Sequence, residues 1–421
     1  MLTIKAAREI VREHTPAPLI KERRLIEARG LYLAERVMAP EQLPGVDNSA
    51  MDGYAVALPE NAFGDEPVKL TVIGESRAGM PWKETLTAGT AVQISTGAPV
   101  PEGTDRIIPV EDTTREDDQV RLKTIGREHD HIRFAGREVL TGDVIAEKQV
   151  KLTPPVVAWL AGFGIDRVKV FAPPRVSLIT TGEELVDVPV EQTLEPGQVR
   201  NTNRIFLESL LSEEGLEPAC CRHVPDVLEP TIKAIDEAGR DSELVITVGG
   251  VSVGQHDHVK AAAEQAGFRP HFWRVAQKPG KPLYFATRDR TLLFGLPGNP
   301  VSVVITSLVY VYPALKRLLG APNPELRTLA GRFDQPVENL EPGRAKLLLV
   351  SITNYHHQTA QLRPGGPQQS HMLSTVTNSD GFIIVPGEKT AIGKDETFTI
   401  HLFPWAEIHV TLPQRKRADS G

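Results

Sequence analysis

The chain has 421 residues, too many for one ordinary hydrophobic core, so several domains are expected. Hydrophobic residues make up 40% and charged residues 24%, the balance of a globular protein rather than a disordered or fibrous one. A net charge of -7 excludes a general nucleic-acid binder and no run reads as a membrane span, so an anionic ligand needs a local basic pocket.

The N-terminal MLTIKAAREIVREH alternates charge with apolar residues and lacks a signal-peptide core, which points to the cytoplasm. Up to about Pro44, apolar residues at helical spacing (Ile10, Leu19, Leu25, Leu31, Leu33, Val37) predict helices. Residues 1–45, joined by residues 145–173 with a helix around Pro154–Phe163, form an expected discontinuous helical or extended domain. Residues 46–144 shorten to strand-like runs, VKLTVIG, TAVQIST and DRIIPVE, and predict a small β-rich domain.

Residues 174–322 alternate strand and helix. PRVSLITT, ELVITVGG and RTLLFGL read as strands; NRIFLESLLSEEG (ended by Gly215), LEPTIKAIDEAG, HVKAAAEQAG and a long NPVSVVITSLVYVYPALKRLLG read as helices. The expected architecture is a doubly wound parallel sheet. In residues 323–413, KLLLVSI, GFIIVPG and TFTIHLF predict a terminal β-barrel, and the final QRKRADSG is a short charged tail with no assigned role. The adjacent Cys220 and Cys221 cannot form an ordinary disulfide and have no zinc spacing; they read as residues of a buried strand.

The 34 Gly and 34 Pro cluster in short loops rather than one low-complexity tract, as in stiff binding loops. In open α/β sheets ligands sit beyond the carboxyl ends of the strands. Thr180–Glu184, Gly249–Gly254 and Leu296–Ser302 all fall at that edge, where small residues let backbone N–H groups approach phosphate. A single such loop is as readily a tight turn; three together favour binding. Within Gln277–Pro282, prolines stiffen the backbone around Lys278 and Lys281, which suits an anion clamp better than a solvated turn.

Asp47–Ala55 is a polar loop without the calcium pattern, since no Glu stands at the required distance. Scattered acids, Glu184 and Asp257 among them, suit magnesium shared with substrate phosphate, although each taken singly is more often a helix cap or turn ligand. The His256-Asp257-His258 run is read as a loop and zinc is rejected. Gly250–Gly254 also fits a G-x-S-x-G nucleophile elbow with Ser252, and His271 or His371 as the base. An elbow leads straight into its helix, whereas Gln255–His258 intervene here, so this stays a minority reading.

At these residues the chain resembles the molybdopterin molybdenumtransferase family, MoeA in bacteria and the E domain of gephyrin in animals. Six motifs carry the resemblance in order: DNSAMDGYA (Asp47–Ala55), STGAPVPEGTD (Ser95–Asp105), TTGEEL (Thr180–Leu185), GGVSVG (Gly249–Gly254), KPGKP (Lys278–Pro282) and LPGNPVS (Leu296–Ser302). It spans nearly the whole chain, to about Leu412.

The resemblance implies a MogA-like doubly wound α/β domain among four domains, and a homodimer with a shared active site. The implied reaction uses adenylylated molybdopterin, molybdate and magnesium, hydrolyses the phosphoanhydride and releases AMP. Contact with the molybdopterin adenylyltransferase is also implied; nucleic acid and membrane are not. Catalytic roles map onto Asp52, Thr96, Glu184 and Asp257, and metal binding onto Glu184, Asp257 and Glu138. Substrate binding maps onto Gly249, Gly250, Ser252, Gly254, Lys278, Lys281, Pro297, Gly298, Asn299, Ser302 and Ser370, the last beside His371 in a Ser-His pair that matches the family.

Four positions depart from the family pattern. Gly136-Arg137-Glu138-Val139 stands for Gly-x-Asp-Ile, Gln255 for a Glu, Asn201 for an Asp, and Leu349 for an Arg that is frequent after the Pro-Gly-Arg turn at Pro342–Arg344. Retuning towards tungstate or weaker activity is the alternative these positions raise. A receptor-binding scaffold reading, borrowed from gephyrin, ranks low because no extra domain or linker is seen.

Overall fold

The computed structural model describes residues 1–63, 67–188, 193–251, 258–356 and 359–407. The chain divides into two compact units, one of Met1–Arg23, Glu27–Ala34 and Lys169–Gly421, the other of Arg24–Ile26 and Glu35–Val168.

In the first unit, helix Ile4–His14 is capped by Thr3, whose hydroxyl accepts the Ala6 N–H at 3.1 Å, and it buries Ile4, Ala7 and Val11. The other helices expected before Pro44 do not form: Ile20–Arg24 and Val37–Met38 are short strands. Pro16, Pro18, Pro40 and Pro44 drive the residues before them out of the helical region, and Gly30 turns the chain at a φ of 87°.

The α/β sheet of this unit has six strands in the order Cys220–Val224, Val176–Thr181, Leu244–Val248, Thr291–Leu296, Tyr284–Arg288, Arg269–Trp273. The first four are parallel, as expected; Tyr284–Arg288 runs antiparallel to both its neighbours, so the sheet is mixed towards one edge. The reason is local. Arg288 pairs with Thr291, leaving only Asp289 and Arg290 to turn the chain, with Asp289 at a φ of 51°. A two-residue connection closes only an antiparallel hairpin. The central strands are buried along their full length and form the core with Val301, Val304, Leu308 and Leu315. Helical residues Pro300–Leu318 are apolar and long enough to cross a bilayer, but 89% of the window lies buried inside the protein as a core helix. A π turn at Ser307–Val311 precedes Pro313, and there the Tyr310 hydroxyl donates to the Gln277 side-chain oxygen at 2.6 Å.

After this sheet, Ala345–His356, Thr359–Pro364, Thr328–Phe333, Thr397–Leu402 and Gly381–Val385 pair in a ring, and the pairing of the first with the last closes a five-stranded barrel around Phe333, Leu348, Leu362, Ile383 and Ile400. Gln277–Lys278 joins this sheet in parallel with Ala345–Lys346 and so ties the KPGKP motif to a barrel strand.

In the second unit a six-stranded sheet runs Arg106–Pro109, Gly53–Ala57, Thr90–Ile94, Lys69–Ser76, Gln119–Leu122, Thr113–Glu116. Gly53–Ala57 is buried on both faces, with Ala55 and Ala57 in one cluster and Tyr54 and Val56 in another. The expected helix is present at Pro154–Gly162.

One packing detail of the first unit predicts acid sensitivity. The His14 ring lies 3.8 Å, centroid to centroid, from that of His271, which also packs on Phe285. Burial first, then His14 and Arg269, pushes the His271 pKa down from 6.5 to about 4. As pH falls, the unfolded chain therefore takes up this proton before the folded one does. The contribution is complete above 6.5 and is lost progressively towards about 4. Discounted for partial solvent access, the loss is about 2 kcal/mol. Urea midpoints across that range should show it, and His271→Leu should flatten this limb.

Candidate functional site

The expected Gly-rich loops meet at the carboxyl edge of the α/β sheet, around a cavity of about 280 Å³. Its wall takes Thr181, Gly182 and Glu184 from one strand end, Val248–Val251 from the next, and Pro297, Gly298 and Asn299 from a third, with Asn203, Asp226 and Pro282 closing it. The backbone there is special. Gly182 has a φ of 137°, and a Cβ on it would stand 2.7 Å from the Glu184 carboxylate, which folds back over the turn. Gly249 and Gly250 have φ of 94° and 64°, which L side chains rarely adopt.

These loops are tied down by hydrogen bonds. The Gly249 N–H donates to the Leu296 carbonyl at 3.0 Å, and Gly250 accepts from the Val259 N–H at 3.1 Å. The Trp273 indole N–H donates to the Val251 carbonyl at 2.9 Å, and the Asn203 amide donates to the Gly298 carbonyl at 2.7 Å. Gly249 therefore serves by its conformation, its N–H being already engaged. The hydroxyl of Thr181 differs: the residue is 5% exposed and its Oγ1 has no hydrogen-bond partner among the described residues. A buried polar atom on a cavity wall without a partner costs free energy unless a ligand or water satisfies it.

Asp226, half-buried beyond the strand Cys220–Val224, was not among the residues expected from sequence. It lies between a strand and the helix Leu228–Asp241, with no local motif to mark it. Both cysteines are free and half-buried. Cys221 donates to the Glu208 carboxylate at 3.2 Å, and burial, then Glu208, pushes its thiol up to about 12.

The residues of the KPGKP motif do not all line one cavity. Pro282 lines the cavity above, whereas Lys278 and Pro279 line a second one of about 200 Å³ with Glu341, Lys346, Leu349 and Gln368. Lys278 is paired with Glu341 at 2.5 Å. Lys281 is half-buried, lines neither cavity, and its carbonyl accepts the Val275 N–H at 3.0 Å. Ser302 is buried, and the Ser370 carbonyl accepts the Val301 N–H at 3.0 Å.

In the second unit, Asp52 and Thr96 are both exposed and come together: the Thr96 N–H donates to Asp52 Oδ1 at 2.7 Å. The loops carrying them cross-brace through Ser49, which donates to Ala98 and accepts from Gly97, itself at a φ of 79°. Glu138 is an exposed residue of the same unit. Ser252, Gly254, Gln255, His256 and Asp257 lie outside the described residues, and with them the nucleophile elbow and one expected metal ligand. Among the described residues no three His, Cys, Asp or Glu side chains gather as metal ligands; Glu184 and Asp226 share one cavity.

Asn201, which stands where the resemblance led to an expected Asp, has a structural role. It caps the helix Thr202–Glu213, is 1% exposed, and its amide donates to Thr180 Oγ1 at 3.1 Å and to Asp187 Oδ1 at 2.9 Å. A carboxylate here would face Asp187 as a like charge. Asn201→Asp is expected to destabilise the first unit by about 2 kcal/mol at neutral pH. The forced pair raises a carboxyl pKa in the folded state, so the loss grows as pH rises through the carboxylate range and fades in acid, which melting temperatures across pH should record.

Three family descriptions match the chain: the MoeA N-terminal region (domain I and II) over residues 2–164, a probable molybdopterin binding domain over residues 177–317, and the MoeA C-terminal region (domain IV) over residues 338–403. The molybdopterin molybdenumtransferase of Haemophilus influenzae is 36% identical, over 96% of this chain and 99% of its own. Molybdopterin molybdenumtransferase 2 of Mycobacterium tuberculosis is 32% identical over 86% and 90%. The crystal structure of the molybdopterin biosynthesis moeA protein from Pyrococcus horikoshii OT3 is similar, with a TM-score of 0.76 at 26% identity, covering 96% of this chain and 100% of that one.

Proposed function

The chain belongs to the molybdopterin molybdenumtransferase family, and from that premise we propose that it inserts molybdate into adenylylated molybdopterin, breaking the phosphoanhydride, releasing AMP and leaving molybdenum on the dithiolene sulfurs. The observation that carries this reading is the unpartnered Thr181 hydroxyl on the cavity wall beside Glu184 and Asp226. A phosphoryl oxygen placed there accepts a hydrogen bond from the Thr181 hydroxyl and ends its isolation.

Glu184 and Asp226 are the described carboxylates that would hold magnesium, which when bound supplies charge neutralisation at the phosphoanhydride; two acids with phosphate oxygens and water suit its octahedral shell. The rest is the work of the chain. The left-handed glycines keep side chains out of the space the phosphates need, and the hydrogen bonds to Leu296, Val259 and Trp273 hold Gly249–Val251 in place before substrate arrives. Asp52 holds the Thr96 loop, the candidate oxyanion element. The same reading takes the enzyme as a homodimer with a shared active site, in contact with the adenylyltransferase that supplies its substrate. It also places the enzyme in the cytosol, where free vicinal thiols such as Cys220 and Cys221 stay reduced.

The test is AMP release from adenylylated molybdopterin, with and without magnesium, comparing molybdate with tungstate. Thr181→Val, close to isosteric, is expected to weaken substrate binding about tenfold while leaving the fold as stable or more so. AMP release indifferent to either oxyanion, or a Thr181→Val enzyme with native KM, would sink the reading.

A further inference from the structure

Trp273 ends the edge strand of the α/β sheet, half-buried, and two cations lie on its ring: Lys260 Nζ at 3.3 Å and Arg274 Cζ at 3.7 Å from the centroid. Groups at those heights cannot share one face without overlapping, so the indole is held with a cation on each side. One cation over an exposed ring is common and decides little. Two cations on one ring, with its N–H engaged as well, are a different matter.

Arg274 reaches its place by a turn of the backbone. Neighbouring residues of a strand point to opposite faces, but Arg274 has a φ of 79°, a left-handed conformation that a non-glycine residue adopts at a cost, and its side chain comes back over the ring before it. Its N–H, donated to the Leu283 carbonyl at 3.0 Å, holds the turn. The indole N–H meets the carbonyl of Val251, a wall residue of the cavity that also takes Thr181 and Glu184. Positive charge on both faces draws density from the ring and makes that N–H a better donor.

Val251 is seated on the sheet in turn. It is 1% exposed, and its Cγ1 would stand 2.7 Å from a Cβ on Gly295, so the glycine leaves the room that the valine fills. Lys260 is the second residue of the helix that begins at Val259, whose N–H bonds the Gly250 carbonyl and whose Cγ2 would lie 2.8 Å from a Cβ on Gly250. Trp273 therefore grips Val251 by its N–H and the start of this helix by its face. It does not itself line the cavity, and with both faces covered it offers no surface for a planar ligand to stack on.

We propose that Trp273 is a positioning residue: clamped between Lys260 and Arg274, it sets the wall Gly249–Val251 where the substrate's phosphates need it, without touching them. Lys260 acts through the ring and not on the ligand. The proposal rests on the transferase reading for the identity of the substrate, and on geometry alone for the brace.

The test is a double-mutant cycle on the full-length protein, read by steady-state AMP release and by hydrogen exchange. Trp273→Phe keeps a ring beneath the Lys260 ammonium but removes the donor; KM for adenylylated molybdopterin should rise about fivefold, with kcat within about twofold of native. Lys260→Met should raise KM about threefold and Lys260→Arg should restore it. In a Trp273→Leu background, itself raised about tenfold in KM, Lys260→Met should add nothing. The Val259 amide should exchange about tenfold faster in Trp273→Phe and Trp273→Leu. KM effects that multiply would mean that Lys260 meets the ligand itself, and an unchanged exchange rate would mean that there is no brace; either overturns the proposal. So does faster exchange or a lower melting temperature at native KM, which leaves Trp273 a structural residue only. A protein that releases no AMP defeats the transferase reading, and the exchange rates then decide for or against the brace on their own.

Discussion

Asp52→Ala is expected to lower the rate of AMP release by about two to three orders of magnitude, with stability reduced by no more than about 1 kcal/mol. Both halves follow from the same contact. Asp52 is exposed, so removing its carboxylate leaves no cavity and no buried charge. Its Oδ1 is nonetheless the acceptor for the Thr96 N–H at 2.7 Å, and without it that donor turns to water and the Ser95–Gly97 turn loses a fixed point. Asp52→Asn separates charge from bracing. The amide keeps an oxygen at the same place, so the loop stays set while the negative charge is gone. If the charge itself acts on substrate, Asn and Ala are equally inactive; if bracing is the whole role, Asn recovers most of the rate. A steady-state comparison of the three enzymes decides, and full turnover in Asp52→Ala removes Asp52 from the site.

The parts of the fold that a local pattern specifies were legible. Buried strands such as Val176–Thr181 and Leu244–Val248 announce themselves as apolar runs ending in glycine or threonine, and the loops after them were placed at the right edge of the sheet. What failed was information held elsewhere in the chain. The Tyr284–Arg288 strand pairs antiparallel because two residues turn it, and Asp289-Arg290 lacks the Asn-Gly or Asp-Gly signature of such turns. The apolar residues up to Pro44 keep a helical spacing that prolines veto, since steric exclusion before proline outweighs periodicity. The two lysines of KPGKP look like one clamp in sequence. Register with a strand 68 positions further on (Lys278 against Lys346) sends Lys278 towards the barrel and Pro282 towards the glycine loops. Asp226 was passed over for a related reason: a lone acid after a weak edge strand has no motif, and only the cavity shows that it faces Glu184 across the same space.

Gly249→Ala should be the most damaging single methyl in the site, costing about 2–4 kcal/mol of stability and reducing substrate binding by at least tenfold. At a φ of 94° an alanine is strained wherever it sits, and here its Cβ would stand 2.6 Å from Thr181 Oγ1 and 2.7 Å from the Thr181 carbonyl oxygen. A side-chain hydroxyl can rotate away, but the carbonyl belongs to a sheet strand paired on both sides and cannot. Relief must then come from Gly249 itself, at the expense of its N–H bond to Leu296 and of the loop it leads into. Gly298→Ala is the matched control, since a Cβ at Gly298 meets nothing within 4 Å. That variant should unfold at the native urea midpoint, and any weakening of substrate binding in it reports crowding of the ligand alone. A drop in midpoint for Gly249→Ala at unchanged m-value, beside an unshifted Gly298→Ala, assigns the loss to the Thr181 contact. A Gly249→Ala protein as stable as the native one would mean that the loop backbone gives way freely, and the fixed geometry on which phosphate recognition depends would go with it.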